Sequence, residues 1–335
     1  MSEIAVIGAG AWGTGIAIVL GRKGTHRVRL WAHEADVCRT INEQHINERF
    51  LPGRPIPDSV TATNDLSLAL RRAEIIVSVM PSQHCRGLFQ QMQPLISPQT
   101  LIVSATKGLE EGSLLRMTEV IAQVLKRNEG SSIGALSGPS FAQEVARGDP
   151  TAITIASQDE ALLRTVQQDF SDPRFRIYTN SDVVGVELGG ALKNIVAIAA
   201  GICDGLGLGH NSVAALITRG LAEMTRLVVA CGGRAETMAG LAGLGDLVLT
   251  CTGGLSRNRS VGVELGRGRK LPEIIAGMHG MVAEGIFTTT AAVGLAHARG
   301  VEMPITEQMH AILHQGKSPR EAIHDLMTRS GKSEL

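Results

Sequence analysis

Aromatic side chains are scarce in this sequence: two Trp, one Tyr and six Phe among 335 residues, or 3%. An excess of either charge is also missing. Lys plus Arg and Asp plus Glu number 32 each, so nothing in the overall charge favours nucleic acid or an anionic membrane surface, and any anion must be bound locally. No two of the cysteines Cys38, Cys85, Cys203, Cys231 and Cys251 form a C-x-x-C pair. They read as reduced core thiols of a cytosolic protein and not as a disulfide framework. No run reaches the roughly 18 uninterrupted apolar residues of a membrane-spanning helix, so no membrane insertion is expected. The apolar stretch Ile4 to Leu20 has no basic residue before it and is interrupted by Gly8, Gly10, Gly13 and Gly15, which argues against a secretory leader.

Glycine is abundant instead, with 39 residues concentrated in turns and close-approach motifs. That balance suits a loop-rich enzyme built around ligands. With 44% hydrophobic and 19% charged residues, the chain is long and apolar enough for two domain cores. Up to about residue 180, short β-branched runs alternate with helical stretches. The strand candidates are Ile4–Ile7, Val28–Trp31, Ile75–Val79, Leu101–Ser104, Ile133–Leu136, Ala152–Ile155 and Phe175–Tyr178. Alternation of this kind predicts a doubly wound, mostly parallel sheet covered by helices. Beyond Asn180 the strand pattern gives way to Ala/Leu/Ile/Gly-rich helical segments near 183–203, 212–231, 236–250, 259–266, 287–299 and 304–315, predicting an all-α domain over 181–335. Asn180-Ser181-Asp182 reads as a helix cap at the boundary, and the active site is expected between the domains.

Gly8-Ala9-Gly10-Ala11-Trp12-Gly13 follows the first strand directly and opens a helix, the context in which G-x-G-x-x-G binds a dinucleotide. Gly8 serves the tight turn, Gly10 the approach of the pyrophosphate and Gly13 close helix packing. The helix N-terminus then offers free N–H groups to the phosphates. Residues 1–180 are therefore expected to form a Rossmann-like domain. At the end of the second strand, where a carboxylate usually holds the NAD ribose, the sequence has Ala32 or His33, with Glu34 displaced. A histidine tolerates or favours a 2′-phosphate, so the cofactor is NADP or NAD, with selectivity open. Arg27 and Arg29 read equally well as a solvated strand edge.

Between Leu188 and Cys203 the only charge is Lys193. A helix apolar nearly all round is buried, so this lysine is a snorkelling side chain, half of an ion pair, or a desolvated acid/base whose pKa falls toward neutrality. Asp246 is similarly isolated in Gly243-Leu244-Gly245-Asp246-Leu247. It could orient Lys193 or bind a substrate hydroxyl, or merely cap a helix. Ser256-Arg257-Asn258 follows Thr252-Gly253-Gly254 and offers a guanidinium fork with neutral donors, suited to a phosphate, although a solvated turn has the same composition. Lys107, in Ser104-Ala105-Thr106-Lys107-Gly108, and Ser137-Gly138-Pro139-Ser140-Phe141-Ala142 follow strands, at the carboxyl ends where open α/β sheets bind ligands. Ordinary turn formation accounts for Gly138-Pro139 as well. His310 and His314 lie four apart but lack the Glu of H-E-x-x-H and a third ligand, so no metal is expected.

These segments, with Glu187-Leu188-Gly189-Gly190-Ala191-Leu192-Lys193-Asn194, Ala215-Leu216-Ile217-Thr218-Arg219-Gly220 and Met281-Val282-Ala283-Glu284-Gly285, make the chain closely resemble NAD(P)-dependent glycerol-3-phosphate dehydrogenases of the bacterial type over nearly its whole length. The resemblance implies that Lys193 is the proton acceptor in glycerol 3-phosphate oxidation and the donor in dihydroxyacetone phosphate reduction. It implies that Lys107, Gly138, Ser140, Asp246, Ser256, Arg257 and Asn258 surround the substrate. Trp12, His33, Lys107, Ala142, Arg257, Val282 and Glu284 would touch the cofactor. It further implies a cytoplasmic homodimer making glycerol 3-phosphate for phospholipid synthesis. Gly15, where the family often has Ala, and His210, where a small or acidic residue is expected, depart from the pattern. The rival readings are a related dehydrogenase acting on a hydroxy acid, and a dinucleotide sensor without turnover.

Overall fold

The computed structural model describes residues 2–128, 131–278, 280–331 and 333–334. The first half forms an eight-stranded sheet: β1 (Ser2–Ile7), β2 (His26–Trp31), β3 (Val60–Thr63), β4 (Ile75–Ser78), β5 (Leu101–Ser104), β6 (Ile133–Ser137), β7 (Thr151–Ala156) and β8 (Phe175–Asn180), in the spatial order β3-β2-β1-β4-β5-β6-β7-β8. Strands β1 to β6 pair in parallel, and the central β4 and β6 are buried along their whole length. Such burial on both faces is what continuous apolar runs dictate. The sequence pattern missed two features. β3 is a four-residue edge strand with alternating burial, too short to stand out from its surroundings. The pair β7–β8, parallel within itself, runs antiparallel to β6, a choice that composition does not encode.

Helices cover both faces. α1 (Ala11–Arg22), α2 (Ala35–Gln44), α6 (Ala142–Arg147) and α7 (Glu160–Phe170) lie over one apolar cluster, and α3 (Leu66–Leu70), α4 (Cys85–Met92) and α5 (Met117–Leu125) over another. Strand order reverses direction at β1: β2 and β3 lie on one side, β4 on the other. Ligands of open α/β sheets bind in the crevice at such a switch point, outside the carboxyl ends of the strands.

Asp182 then caps α8 (Val183–Gly205), its carboxylate accepting from Gly185 N at 2.9 Å. α8 is the axis of the second half. α9 (His210–Ala230), α11 (Asp246–Thr252), α12 (Arg257–Gly266) and α14 (Glu284–Arg299) surround it, which explains why it is apolar on every side. α8 and α12 touch backbone to backbone: a Cβ on Gly201 would stand 2.0 Å from Arg259 O, and one on Gly262 2.0 Å from Ile198 O. Small residues four apart on each helix therefore set how closely the start of α12 approaches α8. The segment expected as one helix over 236–250 breaks into α10 (Ala235–Met238), a π-helical turn over Leu241–Gly245, and α11. α13 (Leu271–Ala276) and α16 (Pro319–Met327) were not anticipated, and α15 (Pro304–Gln315) coincides with the segment expected from the sequence.

Candidate active site

Lys193 lies on α8 where the helix faces the sheet domain, and is 6% exposed. Its ammonium donates to Asp246 Oδ1 and, at 2.8 Å, to Thr250 Oγ1. Burial pushes its pKa down to about 7, with Lys107 adding to the fall against the upward pull of Asp246. Asp246, 1% exposed, begins α11 directly after the π-helical turn. The wide turn, an uncommon element frequent at functional sites, delivers this carboxylate to the crevice, where it caps no helix. Burial by itself would raise the Asp246 pKa, but Lys107 and Lys193 hold it below the ordinary carboxylate range. Thr250, one turn further along α11, donates at 2.6 Å to the Asp246 carbonyl while accepting from Lys193.

Lys107 arrives from the carboxyl end of β5 and donates to Asp246 Oδ2 at 2.7 Å and to the Gly138 carbonyl at 3.3 Å. That carbonyl also accepts from Ser140 Oγ at 3.0 Å. Gly138 stands at φ +140, and a Cβ there would meet Ile153 Cα at 2.9 Å, so the turn after β6 requires glycine. Two ammoniums thus share one buried carboxylate, with backbone and hydroxyl groups from β5, β6, α8 and α11 around them. Lys107, Gly138, Ser140, Lys193 and Asp246 form one connected network.

A second group lies beside it. Asn258 Nδ2 donates to Asn194 Oδ1 at 2.9 Å, and Asn258 Oδ1 accepts from Gly285 N at 3.0 Å, tying α12 to α8 and to the start of α14. Ser256 caps α12 by accepting from Arg259 N at 3.2 Å. Arg257 opens α12 with its side chain exposed and within electrostatic reach of Glu284. Glu284, preceded by the half-buried Val282, accepts from Ser82 Oγ at 2.6 Å and Ser82 N at 3.3 Å, joining α14 to the segment after β4.

The glycine loop closes the crevice on the sheet side. Gly8 has φ +120, and a Cβ on it would lie 2.5 Å from Val79 O, while one on Gly13 would lie 1.8 Å from Gly8 O. Gly10, by contrast, has no atom within 4 Å of the corresponding point. The first turn of α1, including Ala11, has neither a capping side chain nor an acidic residue, and Trp12 Nε1 is buried without a hydrogen-bond partner among the described residues. An open backbone cradle with uncommitted N–H groups fits the pyrophosphate of a dinucleotide. Ala142 at the start of α6 packs 3.5–3.6 Å from the Cβ position of Gly15. His33 is exposed beyond β2, 6.2 Å from the Trp31 ring, and stands apart from the lysine network. Arg27 and Arg29 pair with Glu3 on the strand.

The first half of the chain, residues 3–163, matches the model of the NAD-dependent glycerol-3-phosphate dehydrogenase N-terminus, and residues 182–324 match that of its C-terminus. The chain belongs to the NAD-dependent glycerol-3-phosphate dehydrogenase family. The glycerol-3-phosphate dehydrogenase (NAD(P)+) of Koribacter versatilis is 68% identical over 100% of this chain and 99% of its own length. That of Acidobacterium capsulatum is 58% identical over 100% of both chains. The crystal structure of glycerol-3-phosphate dehydrogenase from Coxiella burnetii superposes with a TM-score of 0.93 at 44% identity, covering 98% of this chain and 99% of that one. Within this family member, four residues of the crevice went unread in the sequence: Thr250, Asn194, Ser82 and Asn47. Thr250 had a usable signal, standing one helical turn after Asp246. The other three are small polar residues whose roles depend on contacts 64 and 202 positions away for Asn194 and Ser82, and 33 to 38 for Asn47.

Proposed function

We propose that this chain is an NAD(P)-dependent sn-glycerol-3-phosphate dehydrogenase that interconverts dihydroxyacetone phosphate and sn-glycerol 3-phosphate. Residues 1–180 hold the dinucleotide, and residues 181–335 supply the groups that act on the substrate. The observation that carries this reading is the Lys193–Asp246–Lys107 network, buried at the carboxyl ends of the strands beside the glycine loop. Gly8, Gly10, Ala11, Trp12 and Gly13 cradle the pyrophosphate, with Ala142, Val282 and Glu284 bordering the rest of the cofactor and His33 at its adenosine end. When bound, the nicotinamide is the source or sink of the hydride.

Lys193 holds the proton exchanged with the oxygen at the substrate's second carbon, donating in reduction and accepting in oxidation. Its depressed pKa puts both forms within reach near neutral pH. Lys107 stabilises negative charge on the same oxygen, and Asp246 keeps the two ammoniums apart and aimed. Gly138 and Ser140 line the substrate's polar end. Arg257, at the N-terminus of α12 with Ser256, takes the phosphate. Asn258 has its carbonyl and one N–H committed to Gly285 and Asn194, so it contributes its second amide N–H and fixes Arg257 in place.

Cofactor oxidation should be rapid with dihydroxyacetone phosphate and slow with dihydroxyacetone. Equal rates, or preference for a hydroxy acid, would remove the phosphate from the mechanism. Lys193→Ala should retain cofactor binding and lose turnover by about a thousandfold or more. The same reading places the enzyme in the cytoplasm, as a homodimer feeding phospholipid synthesis. In support, the charge is balanced, the cysteines are unpaired, and the one helix long and apolar enough to span a membrane among the described residues, Val183–Gly205, is mostly buried as the core helix of the second half. Light scattering of the purified protein checks the dimer.

A further inference from the structure

The segment between α2 and β3 is fastened to the dinucleotide loop. Asn47, 1% exposed, donates from Nδ2 to Ala9 O at 2.9 Å and to Thr14 Oγ1 at 2.8 Å, and accepts from Phe50 N at 3.2 Å. Leu51 and Ile56 sink into the core beneath the strap. Held in this way, the strap carries Arg49 to the end of β2. There its guanidinium lies 3.9 Å from Glu34 and 3.8 Å from Asp36, and 5.2 Å from the centre of the Phe50 ring.

Both ion-pair distances exceed hydrogen-bonding range. Arg49 is aimed by two carboxylates and an aromatic face, yet none of its N–H groups is committed to a hydrogen bond among the described residues, and its side chain is 47% exposed. Among the described residues Glu34 precedes α2 without capping it, and Asp36 lies in the first turn of that helix. The position just beyond the second strand meets the adenosine ribose in a dinucleotide fold, and here it holds the neutral Ala32 and the exposed His33.

We propose that Arg49 is the residue that recognises the 2′-phosphate of NADP(H), and that Asn47 acts as its positioning residue by coupling the strap to the glycine loop. The planar fork of Arg49 takes two phosphate oxygens while Glu34 and Asp36 balance its charge in the absence of that phosphate. This rests on the dinucleotide-binding part of the proposed function and not on the identity of the substrate.

Calorimetric titration with adenosine 2′,5′-bisphosphate and with adenosine 5′-monophosphate, which differ only in the 2′-phosphate, tests it without substrate or turnover. The native protein should bind adenosine 2′,5′-bisphosphate about tenfold to a hundredfold more tightly than adenosine 5′-monophosphate. Arg49→Ala should abolish that preference while leaving the affinity for adenosine 5′-monophosphate, and hence the fold of the loop, unchanged. An equal affinity of the native protein for the two probes overturns the proposal. So does a preference that survives Arg49→Ala, or an equal loss of both affinities in that variant. Failure to turn over dihydroxyacetone phosphate would sink the substrate assignment and leave these titrations unaffected.

Discussion

At the scale of single residues, the proposed chemistry turns on how two lysines share a carboxylate. Burial, the largest influence on Lys193, brings its pKa down to about 7, and the charges on Asp246 and Lys107 act on it in opposite directions. In the proposed mechanism oxidation needs the neutral amine of Lys193, so its kcat/KM should rise with pH and level off above about 7, whereas reduction needs the ammonium and should fall above that pH. The neighbours then shift the inflection with defined signs. Asp246→Asn removes the charge that favours the ammonium and should move the inflection to lower pH. Lys107→Met removes a repelling cation and should move it to higher pH. Stopped-flow or steady-state pH profiles in both directions check this, and shifts of the same sign in the two variants would disprove the coupling. The isolation of Lys193 and Asp246 among apolar residues was legible in the sequence. That they were partners was not, because 53 residues separate them.

At the scale of elements, glycines decide where backbones meet. Gly262 and Gly15 both lie within helices, yet the outcome of adding one methyl group differs. On Gly262 it would stand 2.0 Å from the Ile198 carbonyl, so Gly262→Ala must push α12 off α8, at about 1–3 kcal/mol, and displace Ser256, Arg257 and Asn258 from the crevice. On Gly15 the same atom would meet Ala142 at 3.5–3.6 Å, an ordinary contact. Gly15→Ala should therefore be neutral or stabilising by about 0.5–1 kcal/mol through helix propensity. Urea denaturation of the two variants distinguishes them, and comparable destabilisation of both would contradict the packing described. Helical periodicity identified α8, α14 and α15, but the glycine-rich run over 236–250 looked like one helix. Its π-helical turn follows from the way Gly243 abuts Met238 and Ala242 abuts Gly189, at 2.2 and 2.7 Å from the respective Cβ positions.

At the scale of the whole molecule, buried polar contacts tie the sheet domain to α8 and so keep the crevice in register. Glu187 accepts from Arg116 at 2.7 Å, Thr118 N at 2.9 Å and Thr118 Oγ1 at 2.5 Å, with both charged side chains under 10% exposed. Glu187→Ala leaves a buried guanidinium without this partner and should destabilise the protein by about 3–5 kcal/mol. It should also raise the KM for the phosphorylated substrate, since Lys107 and Lys193 reach Asp246 from opposite sides of the same boundary. Denaturation midpoints with KM and kcat measured on one preparation check this, and a variant of native stability would show that the pair contributes nothing net.

The sequence alone determined what short-range physics controls. Apolar β-branched runs gave seven of the eight strands, helical spacing gave the second, helical half, and glycines at fixed offsets after β1 marked the tight loop proposed to hold the dinucleotide, because each depends only on neighbours along the chain. Tertiary structure decided the rest: the reversal of β7 and β8, the meeting of Lys107, Lys193 and Asp246 on one carboxylate, the commitment of Asn258 to Asn194 and Gly285, and the strap that brings Arg49 to the end of β2. Those depend on which distant surfaces bury one another, and the energy of that burial has no local signature in the chain.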